Sequence, residues 1–208
     1  MKIFCVGRNY SEHALELGNA IPENPVIFSK PDTALLKNGE PFYLPDFSKD
    51  VHHEIELVIK INKVGKKIQE QFAHNYFNEI GLGIDFTARD LQSNLKAKGL
   101  PWELAKGFDG SAPLGDFFTL ERTEDTASFA GKEIVFSLKK NGKLVQSGNT
   151  KDMIYSFEKI IAFVSQYFTL KVGDLIYTGT PAGVGKVEIG DKLEGFIGDR
   201  LMLSCEVK

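Results

Sequence analysis

Two cysteines, four histidines and one tryptophan are all that the 208-residue chain offers of three residue types often found at metal, redox and stacking sites. Cys5 and Cys205 stand at opposite ends with no C-x-x-C partner, which argues against a zinc cluster or a disulfide framework. Basic residues are not in excess: a net charge of −3 leaves no cationic footprint, so nucleic acid is not an expected partner. No apolar run approaches the roughly 20 residues that span a bilayer, so no membrane partner is expected either. The apolar opening at residues 1–6 is too short for a signal-peptide core, and a cytoplasmic protein with reduced thiols is the expectation. Familiar nucleotide and hydrolase motifs are missing as well. The Gly183-Val184-Gly185-Lys186 run has Val187 where a phosphate loop needs Ser or Thr, and Ser111 lies outside any G-x-S-x-G elbow.

Phenylalanine and glycine are abundant, at 16 and 20 residues, as expected of short strands and turns around an aromatic core. The length suits a single domain over 1–208. Strands are predicted at 2–6, 26–30, 52–61 and 79–86, the last with glycines that suggest close approach of another backbone. In the second half, strands at 134–139 and 143–146 flank the hairpin signal Asn141-Gly142. Short helices are predicted over 10–17, capped by Asn9, and after Thr87 as N-cap. A longer one is expected from about 150 or 152 to 167, with Met153, Phe157, Ile160, Ile161 and Val164 on one face.

The most informative stretch is 51–61. Ile55, Leu57, Ile59 and Ile61 alternate as on a strand with one buried face, so Glu54 and Glu56 project together from the other, beside His52. On its own an E-x-E is more often a wet strand face than a ligand pair. Asp85, where a strand hands over to a helix, adds a third carboxylate. An all-oxygen set of this kind suits a hard divalent cation, Mg²⁺ first, with Mn²⁺ or Ca²⁺ possible. His13 and Glu16, three apart on the first helix, form either an oriented base or an ordinary surface pair. Lys106 beside a glycine-rich turn is either a buried cation facing a substrate anion or a solvated lysine. The glycine-rich loop at 178–185 either holds a carboxylate with its amides and hydroxyls or is a structural turn.

These pieces recur together in one known pattern. Gly7-Arg8-Asn9-Tyr10 with His13 and Glu16, Phe28-Ser29-Lys30-Pro31, His52-His53-Glu54-Ile55-Glu56-Leu57, Asp85-Phe86-Thr87-Ala88-Arg89-Asp90-Leu91-Gln92, Lys98-Gly99-Leu100-Pro101-Trp102, Ala105-Lys106 and Thr178-Gly179-Thr180-Pro181 follow one another in order. The chain thereby resembles the fumarylacetoacetate hydrolase family, specifically its short acylpyruvase-like branch, over essentially its whole length. The resemblance implies an α+β fold, a mixed, mainly-β sandwich or roll with flanking helices, usually as a homodimer. It implies Mg²⁺ on Glu54, Glu56 and Asp85, a water-activating dyad of His13 and Glu16, and catalytic assistance from Lys106. Arg89, Gln92, Thr180 and Lys30 would hold oxygens of a small 2-oxo acid. The implied reaction is hydrolysis of a carbon–carbon bond in acylpyruvates (2,4-dioxo acids), giving pyruvate and a carboxylic acid. Decarboxylation of oxaloacetate and isomerisation of an unsaturated 2-oxo diacid such as 2-hydroxyhepta-2,4-diene-1,7-dioate use the same parts. Outside catalysis, a metal-dependent binding protein fits the same residues.

Overall fold

A computed structural model describes residues 1–11, 22–120 and 133–208. The predicted helix over 10–17, with His13 and Glu16, falls largely outside the described residues.

The fold is mixed α+β and dominated by curled sheets. A seven-stranded sheet runs in the order Val26–Lys30, Ile3–Gly7, Leu175–Tyr177, Ile55–Ile61, Phe77–Ile84, Ala112–Thr119, Leu35–Lys37. Ile3–Gly7 pairs in parallel with Leu175–Tyr177, and Leu35–Lys37 with Ala112–Thr119; the other pairs are antiparallel. A four-stranded antiparallel sheet orders Lys143–Asn149, Val135–Lys140, Lys192–Ile197 and Arg200–Glu206. A small third sheet joins Gly185–Lys186, Val51–His53 and Thr87–Ala88. The expected hairpin is present: Asn141 and Gly142 take φ of 53° and 77°, the left-handed pair a two-residue turn between twisted strands requires.

Alternation along the strands explains the layering. Ile55, Leu57, Ile59 and Ile61 face a main core shared with Ile80, Leu82, Phe136, Leu138, Leu193 and Leu203. Val58 faces the other way, into a smaller apolar cluster with Ile3, Cys5, Leu175 and Tyr177. The face predicted to be wet is thus covered, and Ile55–Ile61 is a central strand buried on both sides. Gly83 explains part of that cover: a Cβ there would run into the Tyr177 ring. At this glycine the close neighbour is a side chain, whereas at Gly81 it includes the Asp116 carbonyl, 2.9 Å from where a Cβ would sit.

Two helix starts differ from expectation. Thr87 caps nothing; it lies in the third sheet, and the helix Arg89–Ala97 has Ala88 at its N-cap with no side-chain hydrogen bond. The long helix begins only at Phe157, where Ser156 Oγ accepts from Lys159 N at 3.2 Å, and residues Thr150–Asp152 form a separate 3₁₀ turn. It still buries Phe157, Ile160, Ile161 and Val164 as the spacing predicts.

Candidate metal centre

The carboxylates meet because of strand register. Ile55 pairs with Ile84 and Glu56 with Gly83, so Glu54 falls opposite Asp85, whose N–H donates to the Glu54 carbonyl at 2.8 Å. Glu54 and Glu56 are two residues apart and share a side. One oxygen from each of Glu54, Glu56 and Asp85 lies within 4.8 Å of the others, and all three residues are buried.

Cations surround this cluster on two levels. Lys106, at the end of the short helix Glu103–Lys106, donates to Asp85 Oδ2 at 2.6 Å, Glu54 Oε2 at 2.9 Å and Thr87 Oγ1 at 2.6 Å. Arg89 opens the helix Arg89–Ala97 and pairs with Glu54 Oε1 through Nη2, while its Nη1 donates to Gln92 Oε1 at 2.6 Å. Lys30 sits behind Asp85, its Nζ 2.7 Å from Oδ1. The Lys30 amine also reaches the carbonyls of Phe86 and Lys106 and both the carbonyl and hydroxyl of Ser111. Its donors are directed into protein behind Asp85, and Lys30 is not among the residues lining the cleft where its predicted substrate contact would be made. Arg89, Gln92, Lys106 and Thr180 do line the cleft onto which the three carboxylates open, together with Arg8 and Lys96.

Glu56 differs from its neighbours. Among the described residues no ion pair forms at Glu56; its Oε2 accepts the Gly179 N–H at 2.7 Å. Burial, then the negative charge of Asp85, pushes its carboxyl well above the usual range. A buried carboxylate without a counter-ion is costly, and a cation bound among the three would relieve it. An all-carboxylate cluster of this size suits a hard divalent ion. Burial pulls the Lys106 amine down, but Asp85 and Glu54 outweigh it, so the amine is held above its ordinary value and stays an ammonium.

The loop at 178–185 packs against the carboxylates. Its Gly179 amide is occupied by the carboxylate of Glu56, and Thr178 Oγ1 donates to the Leu57 carbonyl at 2.9 Å. Gly179 must be glycine: φ is +106°, and a Cβ would sit 2.6 Å from that of Asn9. Asn9 is an anchor as well as a predicted cap, with Nδ2 donating to the carbonyls of Tyr155 and Thr178 and Oδ1 accepting from Tyr155 N. His52 bonds Asp50 at 3.0 Å, and His53 is buried with its Nδ1 2.9 Å from Gln146 Oε1. Sequence reasoning passed over Gln146, which links His53, Ile55, Thr180 and Pro181.

The chain matches the model of the fumarylacetoacetate (FAA) hydrolase C-terminal family over residues 2–207. It is 42% identical over 194 residues to oxaloacetate tautomerase YcgM of Escherichia coli (strain K12), covering 92% of this chain and 86% of that protein. It is 41% identical over 206 residues to the mitochondrial oxaloacetate tautomerase FAHD1 of Bos taurus, covering 99% of this chain and 91% of that one. A crystal structure of fumarylpyruvate hydrolase from Pseudomonas aeruginosa in complex with Mn²⁺ and pyruvate superposes with a TM-score of 0.89 at 36% identity, covering 100% of this chain and 89% of that one. By sequence and by fold, the chain is a member of the fumarylacetoacetate hydrolase family of enzymes.

Proposed function

We propose that Glu54, Glu56 and Asp85 hold Mg²⁺, with Mn²⁺ or Ca²⁺ suited to the same ligands, and that the enzyme enolises small 2-oxo acids. The reaction we favour is keto–enol interconversion of oxaloacetate. The observation that carries this reading is Lys106, a buried ammonium 2.6 and 2.9 Å from two of the three carboxylates, at the edge of a cleft that also holds Arg89 and Thr180. The names of the relatives supply the substrate. Bound there, the ion supplies Lewis-acid stabilisation of charge on the oxygens of a 2-oxo acid. Arg89 and Gln92 steer the anionic acid into the cleft, and Thr180 orients it. Lys106 remains protonated and offsets the negative charge that appears when the carbon beside the ketone loses its proton. In tautomerisation one proton leaves that carbon and one arrives on the ketone oxygen; no water is consumed.

Hydrolysis of acylpyruvates is the second reading, supported by the fumarylpyruvate hydrolase neighbour. It shares the enolate but needs an attacking water, activated in our reading by His13 with Glu16. Oxaloacetate decarboxylation would share the enolate without that water.

The experiment follows enol-oxaloacetate by its ultraviolet absorbance and acylpyruvate cleavage by pyruvate release, each with Mg²⁺ and with chelator. The expected result is chelator-sensitive tautomerisation, lowered on the order of 100-fold or more in Glu56→Gln. His13→Ala should remove acylpyruvate cleavage far more than tautomerisation. Full tautomerase activity in chelator would overturn the metal-dependent reading. Intact acylpyruvate cleavage in His13→Ala would overturn the dyad.

A further inference from the structure

Gln146 stands on Lys143–Asn149, a strand of the four-stranded sheet, yet its amide reaches all the layers around the site. The pairing register shifts between Leu144 and Gln146, and beside this irregularity, on a strand whose Lys143, Leu144 and Ser147 are exposed, the Gln146 side chain turns inward; Gln146 is 2% exposed. Its Oε1 lies 3.0 Å from Ile55 N and 2.9 Å from His53 Nδ1. Its Nε2 lies 2.9 Å from Thr180 Oγ1 and 2.9 Å from the Pro181 carbonyl.

Two of these partners have only one possible role. The Ile55 N–H can only donate, so the amide oxygen must face it; the Pro181 carbonyl can only accept, so the NH₂ must face that side. The amide orientation is therefore dictated by chemistry, with no flipped alternative. Two consequences follow. His53 must carry its proton on Nδ1, since Oε1 accepts. Thr180 Oγ1 must accept from Gln146, which leaves the Thr180 proton to be given elsewhere. Thr180 lines the same cleft as Glu54, Glu56 and Asp85.

We propose that Gln146 is a positioning residue: by donating to Thr180 Oγ1 it turns the threonine hydroxyl into an obligatory donor toward the carboxylate of a bound 2-oxo acid. This rests on the reading above, in which Thr180 contacts the acid. Gln146 touches neither substrate nor metal and acts through Thr180. Because Ile55 lies between Glu54 and Glu56, the same amide fixes the backbone between two ligands, and the test must separate the two effects.

Gln146→Glu does so. A carboxylate keeps the shape and still accepts from Ile55 N and His53 Nδ1, but its second oxygen can only accept, so the Thr180 proton turns inward and the Pro181 carbonyl loses its donor, a change whose effect on the ligands the Mn²⁺ titration reads separately. Calorimetry measures Mn²⁺ alone, then pyruvate on the Mn²⁺-loaded full-length protein. The expected result is Mn²⁺ affinity within a few-fold of wild type and pyruvate affinity reduced about 10-fold or more, the scale of one hydrogen bond to a charged group. Thr180→Val should lose a similar factor, and Gln146→Glu combined with Thr180→Val should be no weaker than Thr180→Val alone. Should Gln146→Glu fail to fold, Gln146→Met also deprives Thr180 of its donor and enters the same cycle. Multiplicative losses in the double variant, or unchanged pyruvate affinity in either Gln146 variant, overturn the inference alone. Absence of Mn²⁺-dependent pyruvate binding by the wild-type protein overturns the proposed function and this inference with it.

Discussion

At the scale of single residues, the buried charges fall into two kinds. Glu54 and Asp85 share the Lys106 ammonium, whereas among the described residues Glu56 has no ion-pair partner. The two should therefore respond oppositely to neutralisation. Lys106→Met takes one of two cations from each of two buried carboxylates, Glu54 keeping Arg89 and Asp85 keeping Lys30, and should destabilise the chelated protein by roughly 1–3 kcal/mol in denaturant unfolding, with Mg²⁺ recovering part of the loss. Glu56→Gln removes an uncompensated charge and should leave the chelated protein as stable as wild type or more so, while abolishing the stabilisation by Mg²⁺. Equal losses from both substitutions in chelator would contradict this division. The three carboxylates were legible in the sequence because a strand has period two and Asp85 closes the next one. Lys30 and Gln146 were not. A lysine at a strand end reads alike whether it faces the cleft or the back of Asp85, and a Gln between Val145 and Ser147 reads as surface, although its side chain turns inward beside a pairing irregularity.

At the scale of elements, the strand Ile55–Ile61 and its neighbour Phe77–Ile84 set the site, and the Tyr177 ring packs over the second of them where a Cβ at Gly83 would sit. Gly83→Ala should cost about 1–3 kcal/mol by overpacking against Tyr177. It should also disturb the register that holds Glu56, so activity and chemical stability are both measured; no loss in either would show that the ring moves aside freely. The Leu175–Tyr177 strand is entered through Asp174, which accepts from Lys2 N and Lys171 N at 2.8 Å each and pairs with Lys2 Nζ at 2.5 Å. Burial pushes the Asp174 carboxyl up, but the bonds from Lys2 and Lys171 outweigh it and hold the group below its ordinary value. A depressed carboxyl contributes stability that is present above the unfolded-state value near 4 and is lost as pH falls through the folded value. Asp174→Asn should thus lower the melting temperature at neutral pH, with the difference shrinking on acidification below pH ~4. A difference independent of pH would contradict the charge argument. Helix starts were the least legible elements: Thr87 had the residue type and spacing of a cap, yet pairing with His52 and bonding by Lys106 placed it in a sheet. Tertiary contacts overrode a local signal.

At the scale of the molecule, alternation and turn residues sufficed to read a strand-rich α+β fold, and the ordered motifs identified its family. Which sheet covers which face was not in the pattern: the side of Ile55–Ile61 that alternation assigns to water is closed by Cys5, Leu175 and Tyr177, from strands remote in sequence. Among the described residues no helix is long and apolar enough to cross a membrane. The same closure makes the carboxylate cluster a place where charge must be balanced, because water cannot do it. The most direct measurement is therefore calorimetric titration of the metal-free protein with Mn²⁺, for wild type and for Glu54→Gln, Glu56→Gln and Asp85→Asn. We expect one Mn²⁺ per chain in wild type and at least roughly 10–100-fold weaker binding in each variant, no less than the effect of a ligand's supporting contacts. Wild-type affinity retained in all three variants would contradict the assignment of these carboxylates as the metal site.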